Sequence, residues 1–306
     1  MNYGVYCTRD QLKEALIEHK ADRASLVKAD DALLRVCIRA SRSIDSMCER
    51  WFYPISDTYQ FDHPNQFNSI HGCGLSRNGV PRAVMIDWDL LEITTFTTNE
   101  GSTTFTASDY VLKRGDWYGR TPYDTVELTD NAANDFDYTT NSQQANSIVG
   151  IFGYHNNWAN AWVDSGDTVE DNPLSSSATT IIVNDADGAD AIGLIPRFQV
   201  GQLLQIESEY VYVTNVDIDA NTLTVIRGAN GTTAASHVQN TTISIFQPMT
   251  DVVRATLALA LYDYRRRTSI GGQDDRPFAS ASGVMVFSSS LPGEVKDFVG
   301  RYKRLI

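Results

Sequence analysis

Two helical ends enclose a β-patterned, strongly acidic middle, and that order restricts what this chain can fold into. Residues up to 162 and residues from 248 onward carry helical periodicity together with short strand signals. Between them, residues 163–247 alternate β-branched or aromatic runs with turn residues. The pattern predicts a discontinuous domain, 1–162 plus 248–306, interrupted by an inserted β-rich domain, 163–247. The fold class expected is α+β: a helical body with a small sheet, interrupted by an all-β insert.

The middle also holds most of the charge. Residues 164–246 contain 11 acidic and two basic residues (Arg197, Arg227), a net −9 of the formal −13 carried by the whole 306-residue chain. From residue 249 to the end there are six acidic and nine basic residues, a net +3. An acidic chain of this kind is a poor match for proteins that grip nucleic acid through its phosphates, which need clustered Lys and Arg. No apolar run approaches the roughly 18 residues that a membrane-crossing helix needs. The first residues lack the basic, apolar and small-residue order of a secretion signal, so synthesis in a cytoplasm is expected.

The four cysteines, Cys7, Cys37, Cys48 and Cys73, are isolated, without a C-x-x-C pair. Cys37 and Cys48 fall on a helical face and read as small core residues.

Along the chain, Thr8 with Gln11 has capping-box spacing, and Leu12, Leu16 and Ile17 then share one helical face. A second helix is predicted over 28–51, with Leu33, Leu34, Cys37, Ile38, Ser41, Ile44 and Cys48 at helical spacing and Pro54 beyond its end. Strands are expected at 58–61, 83–86, 91–97, 103–106, 110–112, 125–128 and 147–152, forming a sheet that the two helices can cover. In the insert, strands at 179–183, 203–206, 210–216, 222–226 and 241–246 suit a small sandwich or barrel. A third long helix follows Pro248 over 250–267, and a short one begins near Pro292. Between these last two, residues 268–290 are rich in Gly and Ser, apart from Val284-Met-Val-Phe287.

The common catalytic signatures, G-x-S-x-G, H-E-x-x-H and G-x-x-x-x-G-K, do not occur, and no enzymatic activity and no cofactor are expected. His71 and Cys73 with Asp87 or Asp89 have the residue types of a thiol-based site, although a turn-rich glycine loop accounts for the first two equally well. Asp185, Asp187 and Asp190, in Asn184-Asp-Ala-Asp-Gly-Ala-Asp190, form the best calcium candidate, because side-chain oxygens on a short loop can wrap a hard cation. The Gly comes too early for an EF-hand and no Glu closes the loop, so a solvated turn is the competing reading. Arg265, Arg266 and Arg267, with Lys296, Arg301, Lys303 and Arg304, read as helix-end cations, as a docking surface for an acidic partner, or as a small nucleic-acid patch. Val284, Val286 and Phe287 join the candidate partner-binding residues, since they are too apolar for a simple linker. Phe152, Tyr154, Trp158 and Trp162 stand where the chain enters the insert, and are expected to fill a seam between domains rather than stack on sugars.

One family resemblance runs through the two ends. Its carriers are Tyr6-Cys-Thr-Arg-Asp-Gln-Leu-Lys-Glu-Ala-Leu16, Ala40-Ser-Arg-Ser-Ile-Asp-Ser-Met-Cys-Glu-Arg-Trp-Phe-Tyr-Pro54, Leu90-Leu-Glu-Ile-Thr94, Tyr110-Val-Leu-Lys113, Thr121-Pro-Tyr123, Ile151-Phe-Gly-Tyr154, and the helix from Pro248 to Arg265-Arg-Arg267. This ordered series resembles the head-to-tail connector (adaptor, head-completion) proteins of tailed bacteriophages. The run Leu223-Thr-Val-Ile-Arg-Gly-Ala-Asn-Gly-Thr-Thr-Ala-Ala-Ser-His237 resembles a short β-module of phage structural proteins. The resemblance implies a structural virion protein of the neck, assembled in the host cytoplasm. Its expected state is a homo-oligomeric ring, a dodecamer, beneath the portal protein, closing the filled head and offering a platform to a tail-side neck or tail-terminator protein. DNA would pass through the channel without sequence-specific binding, and no membrane would be involved. The alternative reading is a receptor- or glycan-binding tail protein with the insert as recognition module.

Overall fold

A computed structural model describes residues 4–18, 30–65, 79, 81–114, 117–118, 121–268, 278–279, 285–286 and 291–304. The chain is mostly β, with two large antiparallel sheets and four helices among the described residues. This corrects the expected helical body with a small sheet. The reason is that extended segments run further than their apolar alternation signals. One strand continues through Asp87-Trp88-Asp89, where a break was expected, and others begin at 55 and 162.

The chain falls into two compact units, residues 51–161 with 230–232, and the remainder. The first unit is a seven-stranded sheet of β1 (Ile55–Phe61), β2 (Ala83–Thr98), β3 (Thr103–Phe105), β4 (Tyr110–Arg114), β5 (Trp117–Tyr118), β6 (Tyr123–Leu128) and β7 (Asn146–Phe152). Its order is β1-β7-β2-β6-β4-β5, with β3 also paired to β2. Register shifts between Met85 and Leu90, and again between Leu90 and Glu92 and between Ile93 and Thr95, let β2 bend while its pairing continues. Gly150 sits opposite this irregular stretch, where a Cβ would collide with the Glu92 carbonyl oxygen.

The core of this sheet is an aromatic stack of Phe61, Phe96, Phe105, Phe136 and Phe152 with Val84, Leu90, Val126, Leu128 and Ile148. Phe136 comes from the connection between β6 and β7 and packs edge-on against Phe61 and Phe105. The two N-terminal helices, expected to cover this sheet, belong to the other unit.

That second unit contains a six-stranded sheet of β8 (Trp162–Thr168), β9 (Thr180–Ile182), β10 (Leu203–Ile206), β11 (Glu209–Asp217), β12 (Thr222–Ile226) and β13 (Thr242–Phe246). Its order is β8-β13-β10-β11-β12-β9. Val169 just after β8 bridges Val183 just after β9, so the two end strands meet and the sheet curls into a small barrel. Fourteen buried residues, from Val169 and Leu174 to Ile243 and Ile245, fill it as one core. Closure leaves little free strand edge for unwanted pairing.

The helices of this unit are α1 (Arg9–Glu18), α2 (Asp30–Cys48), α3 (Thr250–Thr268) and α4 (Gly293–Tyr302). Thr8 and Gln11 form the predicted capping box: the Thr8 amide donates to Gln11 Oε1 at 2.9 Å, and the Gln11 amide to Thr8 Oγ1 at 3.2 Å. α2 buries Leu33, Val36, Cys37, Ala40, Ser41, Ile44 and Cys48 along one face. Both ends of the chain meet here, since Arg39 pairs with Asp263 at 3.1 Å and the Arg304 amide donates to the Cys48 carbonyl at 2.9 Å. The extended segment before α1 is fastened to α2 by the Tyr6 hydroxyl, which donates to Asp45 Oδ1 at 2.5 Å. Gly201, at φ +99°, lies against Val5 and Leu34, and a Cβ there would come within 2.8 Å of Val5 Cγ2.

Candidate functional site

A buried and densely hydrogen-bonded polar cluster lies in the barrel, where three strand ends converge. The turn at Glu207 and Ser208 joins β10 to β11, with Glu207 at φ +53° and Ile206 paired opposite Glu209. Glu209 therefore starts β11, and its side chain is fully buried. Burial pushes a carboxyl pKa up, but here hydrogen bonds to the ionised form prevail. Arg227, just past β12, grips both oxygens, Nε to Oε1 and Nη2 to Oε2, each at 2.7 Å. The Ala235 amide donates to Oε2 at 3.0 Å, His237 Nε2 lies 2.9 Å from the same oxygen, and the Gly228 amide donates to Oε1 at 2.9 Å. Together they hold the Glu209 carboxyl down at about 2.

The partners of Glu209 are themselves engaged. Arg227 donates to the carbonyls of Ser175 at 2.9 Å and Ala235 at 2.6 Å, and His237 Nδ1 lies 2.8 Å from Glu207 Oε2. Residues 174 and 237 pair backbone to backbone, which ties the connection after β8 into the same cluster. A carboxylate so fully coordinated holds chain segments together, and the cluster works as a clasp on the 227–237 loop. Sequence reading quoted the 223–237 run but did not single out Glu209 or His237. The available signal was Glu209 directly before the Tyr210-Val-Tyr-Val213 run, a carboxylate at the start of a strand with apolar residues after it.

A concavity of about 180 Å³ lies between α3 and α4 and is lined by Asp251, Arg254, Ala255, Glu294, Asp297, Phe298, Arg301 and Tyr302. Its charges pair across the helices: Arg301 meets Asp251 at 3.3 Å, Arg254 meets Glu294 at 3.5 Å, and the Tyr302 hydroxyl donates to Asp251 at 2.9 Å. Exposed pairs of this kind contribute little to stability.

The aspartates of the calcium candidate turn to separate tasks. Asp185 accepts from the Gly188 amide at 3.1 Å and meets Arg197 at 3.3 Å, whereas Asp190 accepts from the amides of Ile192 and Leu194 at 3.0 and 2.8 Å. Asp187 is exposed. Among the described residues, no group of three or more His, Cys, Asp or Glu side chains is placed to hold a metal ion.

Of the candidate partner-binding residues, Arg265 and Arg266 are exposed at the end of α3, Arg301 lines the α3–α4 concavity, and Arg304 is half-buried beside α2. Val286 belongs to β15 (Met285–Val286), which pairs with β14 (Phe278–Ala279), but its side chain lies outside the described residues, as does that of Arg267. Val284 and Phe287 lie outside them altogether, as do His71 and Cys73. Asp87 is exposed, with the Tyr59 hydroxyl 3.5 Å from Oδ2.

The four seam aromatics divide between the units. Phe152 is in the first sheet's core, Tyr154 lies against Phe52 and receives a hydrogen bond from Arg114 at 2.9 Å, and Trp158 lies beside His155. Trp162 packs on Tyr210 and Phe246 in the barrel. No described helix is long and apolar enough to cross a membrane. No protein family, curated protein or solved structure matches this chain.

Proposed function

We propose that the chain is a structural subunit of a tailed-phage neck, assembling as a ring between portal and tail. The observation that carries this reading is the meeting of the two chain ends: α1 and α2 pack with α3 and α4 in one unit, and those ends hold much of the sequence that resembles the connector family. A barrel whose buried charges are spent on its own loops suits a load-bearing part better than a reactive one. The acidic barrel would also discourage adhesion of DNA near the channel.

The test is to mix the purified chain with a tailed-phage portal protein from the same source and examine the product by electron microscopy and native mass spectrometry. A ring coaxial with the portal is expected. A chain that stays monomeric with the portal, and instead binds cell-surface glycan, would replace this reading with the receptor-binding one.

A further inference from the structure

The irregular segment before α1 lies along one side of α2, fastened at one-turn intervals. The Cys37 thiol donates to the Thr8 carbonyl at 3.7 Å, the Tyr6 amide donates to Ser41 Oγ at 3.0 Å, and the Tyr6 hydroxyl reaches Asp45 Oδ1 at 2.5 Å. Positions 37, 41 and 45 are spaced by four residues and so share one side of the helix. Arg42 adds a bond to the Gly4 carbonyl at 2.9 Å. The segment therefore runs opposite in direction to α2, and Cys7 falls beside Cys37.

Both thiols are fully buried, and both are free. They share a hydrogen bond, which together with burial holds the Cys7 thiol well above its ordinary range. Two sulfurs already in contact need only a small approach to bond, and residues 4–8, being neither helix nor strand, can supply it. Cys48 is buried on the same helix but lies near Asp45, Arg50 and Lys303, which makes it an internal control.

We propose that Cys7 and Cys37 are a redox pair that a peroxide closes to a disulfide once the chain leaves a reducing compartment, stapling the N-terminal segment to α2. While the segment lies down, its buried thiol is protonated and inert. When it lifts, the Cys7 thiolate attacks one peroxide oxygen, the O–O bond breaks, and hydroxide leaves to become water, giving a sulfenic acid. On return, the Cys37 sulfur attacks the Cys7 sulfur: the S–S bond forms, the S–O bond breaks, and hydroxide leaves as water with the Cys37 proton. Two thiols and one peroxide thus give one disulfide and two waters. The bond closes a loop of about 30 residues that contains α1, which restricts the unfolded chain. The chemistry goes beyond the neck reading and does not depend on it.

The full chain is incubated with hydrogen peroxide at neutral pH, alkylated under denaturing conditions, digested with trypsin and read by mass spectrometry. Residues 1–9 are expected linked to residues 36–39, the peptides ended by Arg9 and Arg39. The melting temperature should rise by roughly 5 °C and fall back on treatment with dithiothreitol. Cys7→Ala and Cys37→Ala, each verified as folded by circular dichroism, should lose both the linked peptide and the peroxide-induced rise, whereas Cys48→Ala should keep both. The wild-type peptide map stands by itself if a variant does not fold. Cys7 and Cys37 staying reduced under peroxide, a bond that forms only in urea, or Cys7 linked instead to Cys48 or Cys73 would overturn the pair. A Cys7–Cys37 bond that leaves the melting temperature unchanged would overturn the staple.

Discussion

Glu209 and Arg227 face each other as a two-pronged ion pair inside the barrel, 2.7 Å apart at both contacts and with almost no solvent exposure. Removing one partner leaves the other charge buried without its counter-ion. Arg227→Met should therefore cost about 3–5 kcal/mol in urea unfolding of the barrel, whereas Arg227→Met combined with Glu209→Leu should recover much of that loss. A single substitution costing no more than an exposed ion pair would mean that the clasp does not hold the 227–237 loop.

The same pair sets a pH dependence. Glu209 is held at about 2, against an ordinary value of 4.5. Its folded pKa is the lower one, so its contribution is fully present above pH 4.5 and declines as pH falls from there towards 2. The size is on the order of 3 kcal/mol. Glu209→Gln should thus be less stable than the wild type at neutral pH, with the gap narrowing across that acid window. A gap that stays constant down to pH 2 would contradict the assignment.

Phe136 closes the core of the first sheet from a connection rather than a strand. It is 2% exposed and touches Phe61, Phe96 and Phe105. Phe136→Ala should destabilise that unit by about 3–5 kcal/mol, the scale of a deleted buried ring. Near-ultraviolet circular dichroism during thermal unfolding reads it out, and a loss below about 1 kcal/mol would show that the connection is not part of the core.

Excising residues 163–247 behind a short Gly/Ser linker tests the nested arrangement. The first sheet's core and the helix-to-helix contacts lie outside the excised segment, but Val5 and Leu34 would lose their contact with Gly201. The shortened chain is expected to stay folded with its helices, at a lower melting temperature. A molten product would mean that the barrel is an integral support of the helices. Gly201→Val in the intact chain should also destabilise, since it combines a positive φ with a Cβ collision against Val5.

How far the sequence reached differs between elements. Local signals placed the four helices, because apolar spacing, the Thr8–Gln11 capping box and Pro248 each act within a few residues. They also placed most barrel strands, where β-branched runs alternate with turns. The continuity of β2 was not legible, because Asp87 and Asp89 look like a break until β6 and β7 supply partners on either side. The balance of fold class followed from that, and the chain is mostly β where a helical body was expected.

The charge census established from sequence alone that residues 163–247 are acidic and residues 249–306 mildly basic. Only tertiary structure decided where individual charges act: Asp185 turns to Arg197, Asp190 to the backbone of its own turn, and Glu209 to Arg227 and His237 across 18 and 28 positions of chain. Sequence fixes periodicity because it is local. Which carboxylate meets which donor depends on strand pairing between distant residues, and burial then turns a weak surface attraction into a clasp.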